Sequence, residues 1–153
     1  MRPLLPMEVS ASKAFGFNLG IKLIRGAYMN EERQIAAEKG IESPVWENIE
    51  DTHACYNASM EYIIRNIRDT DMLFVASHNI DTCNQAMQLL KELNLKEKNR
   101  VIFGQLRGFS DQITSSIVSK GFQVFKYVPF GPTEQVMPYL VRRGQESRQV
   151  LRE

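Results

Sequence analysis

The side chains best suited to chemistry lie near the end of the chain, where a phenol and two guanidiniums share one predicted helix. Tyr139, Arg142 and Arg143 are spaced i, i+3 and i+4, so an α-helix brings them to one face. A guanidinium is a planar fork of N–H donors that matches a carboxylate in bidentate geometry. The spacing therefore predicts a face that binds a small carboxylate. The alternative is a solvated basic stripe paired with Glu146, one turn later.

Two further polar residues accompany apolar, strand-like runs. His78 directly follows the run Met72–Ala76, where an imidazole is placed for acid–base chemistry or for a hydrogen bond to a ligand. The alternative is that it only caps the following helix. Lys22 alternates with apolar residues inside another run. Inside a barrel it would face a ligand, because an unpaired buried ammonium is costly, whereas on an open sheet it would mark an exposed edge strand.

Composition excludes several classes of protein. The chain has 153 residues, with 19 Lys plus Arg against 18 Asp plus Glu and a net charge of +1, which fits one globular domain without a basic footprint for nucleic acid. Cys55 and Cys83 are too few for a disulfide framework and are read as reduced, small hydrophobic residues. Two histidines without metal-ligand spacing predict no metal site, and no apolar run approaches the roughly 20 residues of a membrane span.

The elements that must position these side chains alternate between short β-branched or aromatic runs and longer amphipathic stretches. The predicted strands are Leu19–Arg25, Met72–Ala76, Val101–Phe103 and Phe122–Val128. The predicted helices cover residues 31–39, 50–68, 82–93, 111–120 and 133 to about 148. Strands that alternate with helices predict an α/β fold with a parallel sheet and right-handed crossovers.

Two architectures fit this alternation: a complete small doubly wound sheet, or part of a (βα)₈ barrel, which typically takes about 250 residues. Both place active sites where the strands end, and polar or glycine-rich residues follow all four predicted strands here. Neither a GxGxxG fingerprint nor a P-loop is present. Residues 1–18 are expected to form a partly irregular lead-in, and residues 19–153 to form the βα region.

Five sequence blocks, read together, resemble the signature of proline dehydrogenase, the flavin-dependent enzyme family that oxidises L-proline. The blocks are KLIRGAY at 22–28, ASHN at 76–79, FGQL at 103–106, YVPFG at 127–131 and PYLVRR at 138–143. They occur in the family's order over residues 19 to about 148. The resemblance implies a (βα)₈ TIM-like barrel with FAD at the rim of its strands, of which this chain is the C-terminal half, about four βα units.

The resemblance also implies roles for individual side chains. Those implied to contact L-proline are Arg142 and Arg143 at its carboxylate, with Tyr127, Tyr139, Leu106 and Tyr28 around its ring. Those implied to contact FAD are Lys22, Arg25, Gly26, Ala27, Ser77, His78 and Gln105. Lys22 is the implied catalytic residue, a cation beside the flavin that stabilises negative charge as hydride arrives. Tyr127 favours proline over hydroxyproline, because relatives that oxidise hydroxyproline are expected to carry a smaller residue there.

The family further implies a quinone as electron acceptor and the product Δ1-pyrroline-5-carboxylate. It implies a parent protein on the matrix side of the mitochondrial inner membrane if eukaryotic, and otherwise in the cytoplasm or peripheral on the inner membrane. The first four βα units, with a lysine and an aspartate that they contribute, do not occur in this chain, so we expect a fragment with little activity alone that pairs with the missing N-terminal half. The alternatives are a non-catalytic remnant or complementation module, a hydroxyproline dehydrogenase, and an unrelated phosphate-binding α/β domain.

Overall fold

The computed structural model describes residues 4–95 and 100–146, which form six helices and four strands. The helices are α1 (Leu4–Phe15), α2 (Met29–Lys39), α3 (Ile49–Asn66), α4 (Ile80–Glu92), α5 (Asp111–Ser119) and α6 (Thr133–Glu146). The strands are β1 (Gly20–Ile24), β2 (Met72–Ala76), β3 (Val101–Leu106) and β4 (Val124–Tyr127). All four predicted strands and all five predicted helices are present, and the predicted end of the last helix, near residue 148, lies outside the described residues.

The strands form one parallel sheet in the order β1-β2-β3-β4. Lys22 pairs with Phe74 and Phe74 with Ile102, while Gly104 pairs with Phe125. The prediction of an α/β fold with βα units of a TIM-like barrel is confirmed. The doubly wound alternative needs a sheet whose strand order reverses, whereas here each strand lies beside the next in the chain.

The two faces of the sheet differ because side chains alternate along each strand. One face is covered by α3, α4 and α5, and its buried core includes Met60, Leu73, Val75, Phe103 and Ile117. The opposite face, called the open face here, carries the other set of strand side chains. Its more exposed apolar members are Ile24, Met72, Phe125 and Tyr127.

Local sequence explains where three of these helices begin or end. Asn48 and Asn79 are the N-caps of α3 and α4, and their side-chain oxygens accept hydrogen bonds from the N–H groups of Asp51 (2.7 Å) and Thr82 (2.9 Å). Gly40 ends α2 in the left-handed conformation, with φ of 61°. These caps fix the helices relative to the strands that precede and follow them.

In the described part of the lead-in, α1 occupies residues 4–15, and the residues between it and β1 are irregular. This helix packs through buried Val9 and Ser12. The Arg68 guanidinium donates hydrogen bonds to the Ser12 and Phe17 carbonyl oxygens (3.3 and 2.5 Å). The end of α1 is therefore attached to the loop that follows α3.

The same loop anchors the start of β1 through a buried carboxylate. Asp71 accepts hydrogen bonds from the backbone N–H groups of Leu19 (2.8 Å) and Arg68 (3.0 Å), and from the Arg68 guanidinium at 2.8 and 2.9 Å. The Arg68 side chain is the main reason that the pKa of Asp71 lies well below its usual range. Asp71 and Arg68 together join α1, β1 and β2 at the end of the sheet where the strands begin.

Candidate functional site

The carboxyl ends of the four strands, called the rim here, bring four of the six predicted substrate side chains together. Tyr127 is paired with Leu106 at the ends of β4 and β3. The Tyr139 ring from α6 lies 6.1 Å from the Tyr127 ring, centroid to centroid, at an interplanar angle of 59°. The Arg143 guanidinium carbon lies 5.5 Å from the Tyr139 ring centroid. A guanidinium beside two phenol rings can hold a small anion with an apolar body.

The other two predicted substrate residues are less enclosed. The half-buried face of α6 includes Val136, Tyr139 and Arg143, spaced i, i+3 and i+7, whereas the side chain of Arg142 is exposed. Tyr28 is the N-cap residue of α2 and is 73% exposed. The predicted pair of guanidiniums therefore has one half-buried member beside the aromatic rings and one member in contact with solvent.

Lys22, the predicted catalytic cation, lies on the open face of β1 with an exposed side chain. Its Nζ lies 5.7 Å from the ring centroid of Phe74 on the neighbouring strand. The Phe74 ring in turn lies against Gly104, where an added Cβ would come within 1.9 Å of the ring. Phe74 was not predicted from the sequence. The available signal was the glycine inside β3, because a glycine in a strand often marks a close approach.

The guanidinium of Arg25 does not lie on the open face but inserts between α3 and α4. Its nitrogens lie 3.3 Å from His53 Nδ1 and donate to Asn57 Oδ1 (3.1 Å) and to the Thr82 hydroxyl. The guanidinium carbon lies 4.6 Å from the Tyr56 ring centroid. Burial of the guanidinium lowers the pKa of Arg25. Its side chain therefore attaches the end of β1 to two helices, and a contact of that side chain with a cofactor stays a prediction.

The loop between β1 and α2 leaves backbone N–H groups without a capping side chain. Gly26 has φ of 64° and Tyr28 has φ of 58°, and the Tyr28 side chain makes no capping hydrogen bond to the first turn of α2. Half-buried Ala27 lies between them. A helix start of this kind attracts anionic oxygens such as phosphate. Glu31 and Glu32 in the same turn oppose an anion there.

His78 connects the ends of β2 and β3. Its Nε2 accepts a hydrogen bond from the Leu106 N–H (3.4 Å), and its Nδ1 lies 3.1 Å from the Ser110 hydroxyl oxygen. Nδ1 therefore carries the proton in the neutral ring. Burial, with a smaller contribution from Lys126, lowers the pKa of His78. The neutral imidazole thus orients the loop that follows Leu106.

Gln105 and Ser77 also make hydrogen bonds within the chain. Gln105 is 4% exposed; its Nε2 donates to the Ser77 carbonyl oxygen (3.3 Å), and its Oε1 accepts from Thr114 Oγ1 (2.5 Å) and Lys126 Nζ (3.3 Å). The Ser77 hydroxyl oxygen accepts from the Asn79 N–H (3.1 Å). This network was not predicted from the sequence, although a lysine inside the apolar strand β4 was a signal for it. Cofactor contacts of Ser77, His78 and Gln105 stay predictions.

Two features of the described residues fit a flavin dinucleotide. Lys22 presents a cation on the open face beside an aromatic ring, and the glycine-containing start of α2 presents N–H groups suited to phosphate oxygens. Among the described residues, no cluster of three or more His, Cys, Asp or Glu side chains could ligate a metal ion. Nor does any helix in residues 4–95 and 100–146 have the length and apolar character needed to cross a membrane.

Comparisons with known proteins identify relatives of this chain. A family model described as proline dehydrogenase matches residues 3–152. The chain is 39% identical over 145 residues to proline dehydrogenase 1, mitochondrial, of Dictyostelium discoideum, and 37% identical over 151 residues to hydroxyproline dehydrogenase of Bos taurus. It superposes with a TM-score of 0.82, at 30% identity, on proline utilization A from Bdellovibrio bacteriovorus inactivated by N-propargylglycine.

The share of each protein covered is unequal. The match includes 92% of this chain but 25% of the Dictyostelium relative, and 97% of this chain but 33% of the bovine relative. The structural match includes 94% of this chain and 15% of the larger protein. The chain therefore spans a quarter to a third of the length of these two curated relatives.

Proposed function

The chain belongs to the proline dehydrogenase family, and on that premise we propose that it takes part in the FAD-dependent oxidation of L-proline to Δ1-pyrroline-5-carboxylate. The observation that carries this proposal is the cluster of Tyr127, Tyr139 and Arg143 at the rim. L-Proline combines a carboxylate with a compact apolar ring, and this cluster combines a guanidinium with two aromatic walls. The guanidinium is therefore complementary to the carboxylate of proline, and the two aromatic side chains are complementary to its apolar ring.

Substrate binding is assigned to the rim side chains. Arg143 pairs with the carboxylate, and Arg142, the preceding residue on α6, is proposed as the second guanidinium for it. Tyr127, Tyr139 and Leu106 enclose the pyrrolidine ring and exclude water from it, with Tyr28 at the edge of the pocket. Enclosure matters because a guanidinium–carboxylate pair is stronger away from water.

Cofactor binding is assigned to the loops after β1 and β2 and to the end of β3. Gly26 and Ala27 offer backbone groups to the phosphates, with Arg25 fixing their loop, while Ser77, His78 and Gln105 line the neighbouring strand ends. Bound FAD would supply the two-electron acceptor for oxidation of the ring C–N bond, and a quinone would receive the electrons afterwards. Lys22 holds a positive charge on the open face, where it would stabilise negative charge that develops during hydride transfer.

We further propose that this half barrel needs a second half. Among the described strands, β1 and β4 each pair with one neighbour, whereas a closed eight-stranded barrel leaves no strand edge free. The open face also exposes Phe125 and Tyr127, at 54% and 56%. Four preceding βα units would cover both features, so the chain by itself is expected to bind FAD weakly.

Hydroxyproline oxidation is the second candidate, because hydroxyproline dehydrogenases are among the relatives, at 37% identity. We propose that Tyr127 separates the two candidates, because relatives that oxidise hydroxyproline are expected to carry a smaller residue there, which leaves room for a hydroxyl on the substrate ring. Relatives named as mitochondrial support a mitochondrial location if the protein is eukaryotic, and we propose the matrix side of the inner membrane within that compartment.

A reconstitution experiment tests the proposal. The purified chain is mixed with a separately produced N-terminal half barrel of a proline dehydrogenase, and flavin absorbance and proline-dependent dye reduction are measured. We expect the chain alone to be colourless and inactive, and the mixture to be yellow and active with proline in preference to hydroxyproline. A yellow, active chain by itself contradicts the need for a second half. A yellow mixture that oxidises neither substrate contradicts the enzymatic assignment.

Substitution of Arg143 tests the carboxylate contact in the same mixture. Arg143→Met is expected to raise the KM for proline about tenfold to a hundredfold, because a charge-assisted hydrogen bond contributes roughly 1.5–3 kcal/mol. Arg65→Met is the matched control, because Arg65 is an exposed arginine that pairs with Glu61 on α3, away from the rim. An unchanged KM in Arg143→Met would exclude this guanidinium from substrate binding.

A further inference from the structure

Phe74 lies on the open face of β2, between Lys22 on β1 and Gly104 on β3. Its neighbours in β2, Leu73 and Val75, are fully buried on the helix-covered side, so the Phe74 side chain lies on the opposite, open face. It pairs directly with Lys22 on β1. The Phe74 ring is therefore adjacent to the proposed catalytic cation.

On its other side, the Phe74 ring packs into the space over Gly104 of β3, which has no side chain. A Cβ built on Gly104 would lie 1.9 Å from Phe74 Cε1 and 2.2 Å from Cζ, far inside van der Waals contact. Gly104 pairs with Ala76, two residues after Phe74 in β2. The ring thus extends along the open face toward the rim, and it occupies the space that any other residue at 104 would fill.

Lys22 completes the arrangement. Its Nζ lies 5.7 Å from the centroid of the Phe74 ring, within the range in which an ammonium is attracted to an aromatic face. A lysine side chain has four rotatable bonds and otherwise samples many positions at an exposed site. A ring fixed against Gly104 restricts where the ammonium can go.

We propose that Phe74 is a positioning residue. Its ring keeps the Lys22 ammonium at one position on the open face, before the strands reach the rim. The inference deepens the proposed function, because it rests on Lys22 acting as the cation of the reaction. Phe74 itself acts through Lys22. An aromatic side chain is required at position 74, and glycine is required at 104 to accommodate it.

The geometric part is testable on the chain alone. Reductive ¹³C-methylation labels lysine amines while keeping their charge, and the Lys22 resonance is assigned by its loss in Lys22→Arg. We expect this resonance to be displaced upfield by the Phe74 ring current, and to move to the position of the exposed lysines in Phe74→Leu. Phe125→Leu, an exposed aromatic of the same face on β4, is the matched control and should leave it unchanged. A Lys22 resonance that is already at the exposed position in the unsubstituted chain overturns the proposal.

The functional part uses the reconstituted barrel. Phe74→Leu is expected to lower kcat about two- to fivefold, the rate equivalent of one exposed cation–π contact, with little change in the KM for proline. Phe74→Tyr should restore the rate, and Phe74→Leu should have no further effect in a Lys22→Met background. Equal losses with and without Lys22 would overturn the positioning role. If the barrel binds flavin but oxidises no proline, the proposed function fails, while the resonance measurement still decides the geometry.

Discussion

Removal of the charge on Asp71 is the perturbation whose effect can be worked out most directly from the structure. Asp71 is 5% exposed and accepts four hydrogen bonds. One carboxylate oxygen accepts from the Leu19 N–H and the Arg68 Nη2, and the other accepts from the Arg68 N–H and Nε. Asp71→Asn keeps the shape of the side chain but replaces one of these oxygens with an NH₂ group.

In either orientation of the new amide, its NH₂ group replaces an oxygen that accepts two hydrogen bonds, so two of the four hydrogen bonds are lost. The NH₂ group, itself a donor, then faces the two N–H donors of those lost bonds. Hydrogen bonds to charged groups contribute roughly 1.5–3 kcal/mol each, and those from the solvent-accessible guanidinium count for less. We therefore expect Asp71→Asn to lower the free energy of unfolding by about 2–3 kcal/mol at pH 7. For a chain of this size, that corresponds to a fall in Tm of about 5–10 °C.

The pH dependence provides a second, independent expectation. The Arg68 side chain, followed by the Leu19 and Arg68 N–H groups, lowers the pKa of Asp71 in the folded state. A depressed folded pKa stabilises the protein above the unfolded value of about 4, and that stabilisation is lost as the pH falls toward the folded pKa. The difference in stability between the unsubstituted chain and Asp71→Asn should therefore shrink as the pH falls below about 4.

Urea and thermal unfolding followed by circular dichroism, from pH 7 to pH 3, provide the measurement. Asp69→Asn is the matched control, because Asp69 lies two residues earlier, is 76% exposed and pairs with Arg100 at the surface. Its loss should cost under about 1 kcal/mol. Asp71→Asn and Asp69→Asn with equal stabilities at pH 7, or a difference that persists unchanged in acid, would refute the reasoning.

Two further predictions concern groups whose pKa values are shifted by burial. The folded-state pKa of His78 is lowered, so the free energy of unfolding should decline as the pH falls below about 6.5. His78→Gln should reduce this slope in urea unfolding, and His53, whose pKa is also lowered, should retain part of it. An unchanged slope would contradict the assignment. Burial raises the pKa of the Cys83 thiol to about 11. A thiol reagent should therefore modify half-buried Cys55 in the native chain and Cys83 only after unfolding, as peptide mass spectrometry would detect. Equal rates of modification in the native chain would argue against the packing around Cys83.

Much of the fold was predictable because its signals are local. The strand Met72–Ala76 was predicted with the bounds that the structure has, because a short apolar run between polar residues can only be a buried strand or a helix too short to persist. Gly40 ends α2 as predicted, because only a residue that tolerates positive φ closes a helix in this way. The helix α1 was not predicted, because Pro6 lies in its first turn and Pro3 directly precedes it in the sequence.

The candidate site was predictable in part for the same reason. Tyr139 and Arg143 share one face of α6, as their spacing predicts, because helical periodicity is fixed within a single turn. That Tyr127 would lie beside Leu106 and beneath Tyr139 depends on strand register and on how α6 packs. Neither quantity is encoded by neighbouring residues in the sequence.

The sequence by itself determined the order of elements, the family and the residue types available at the rim, because periodicity, capping and motif spacing are properties of short segments. Only the tertiary structure decided the partners of those residues. Arg25 bonds to Thr82, 57 positions later, and Phe74 fills the space left by Gly104, 30 positions later. Such contacts arise from the packing of whole strands and helices. The partners of a side chain at the rim therefore depend on residues that are distant in the sequence.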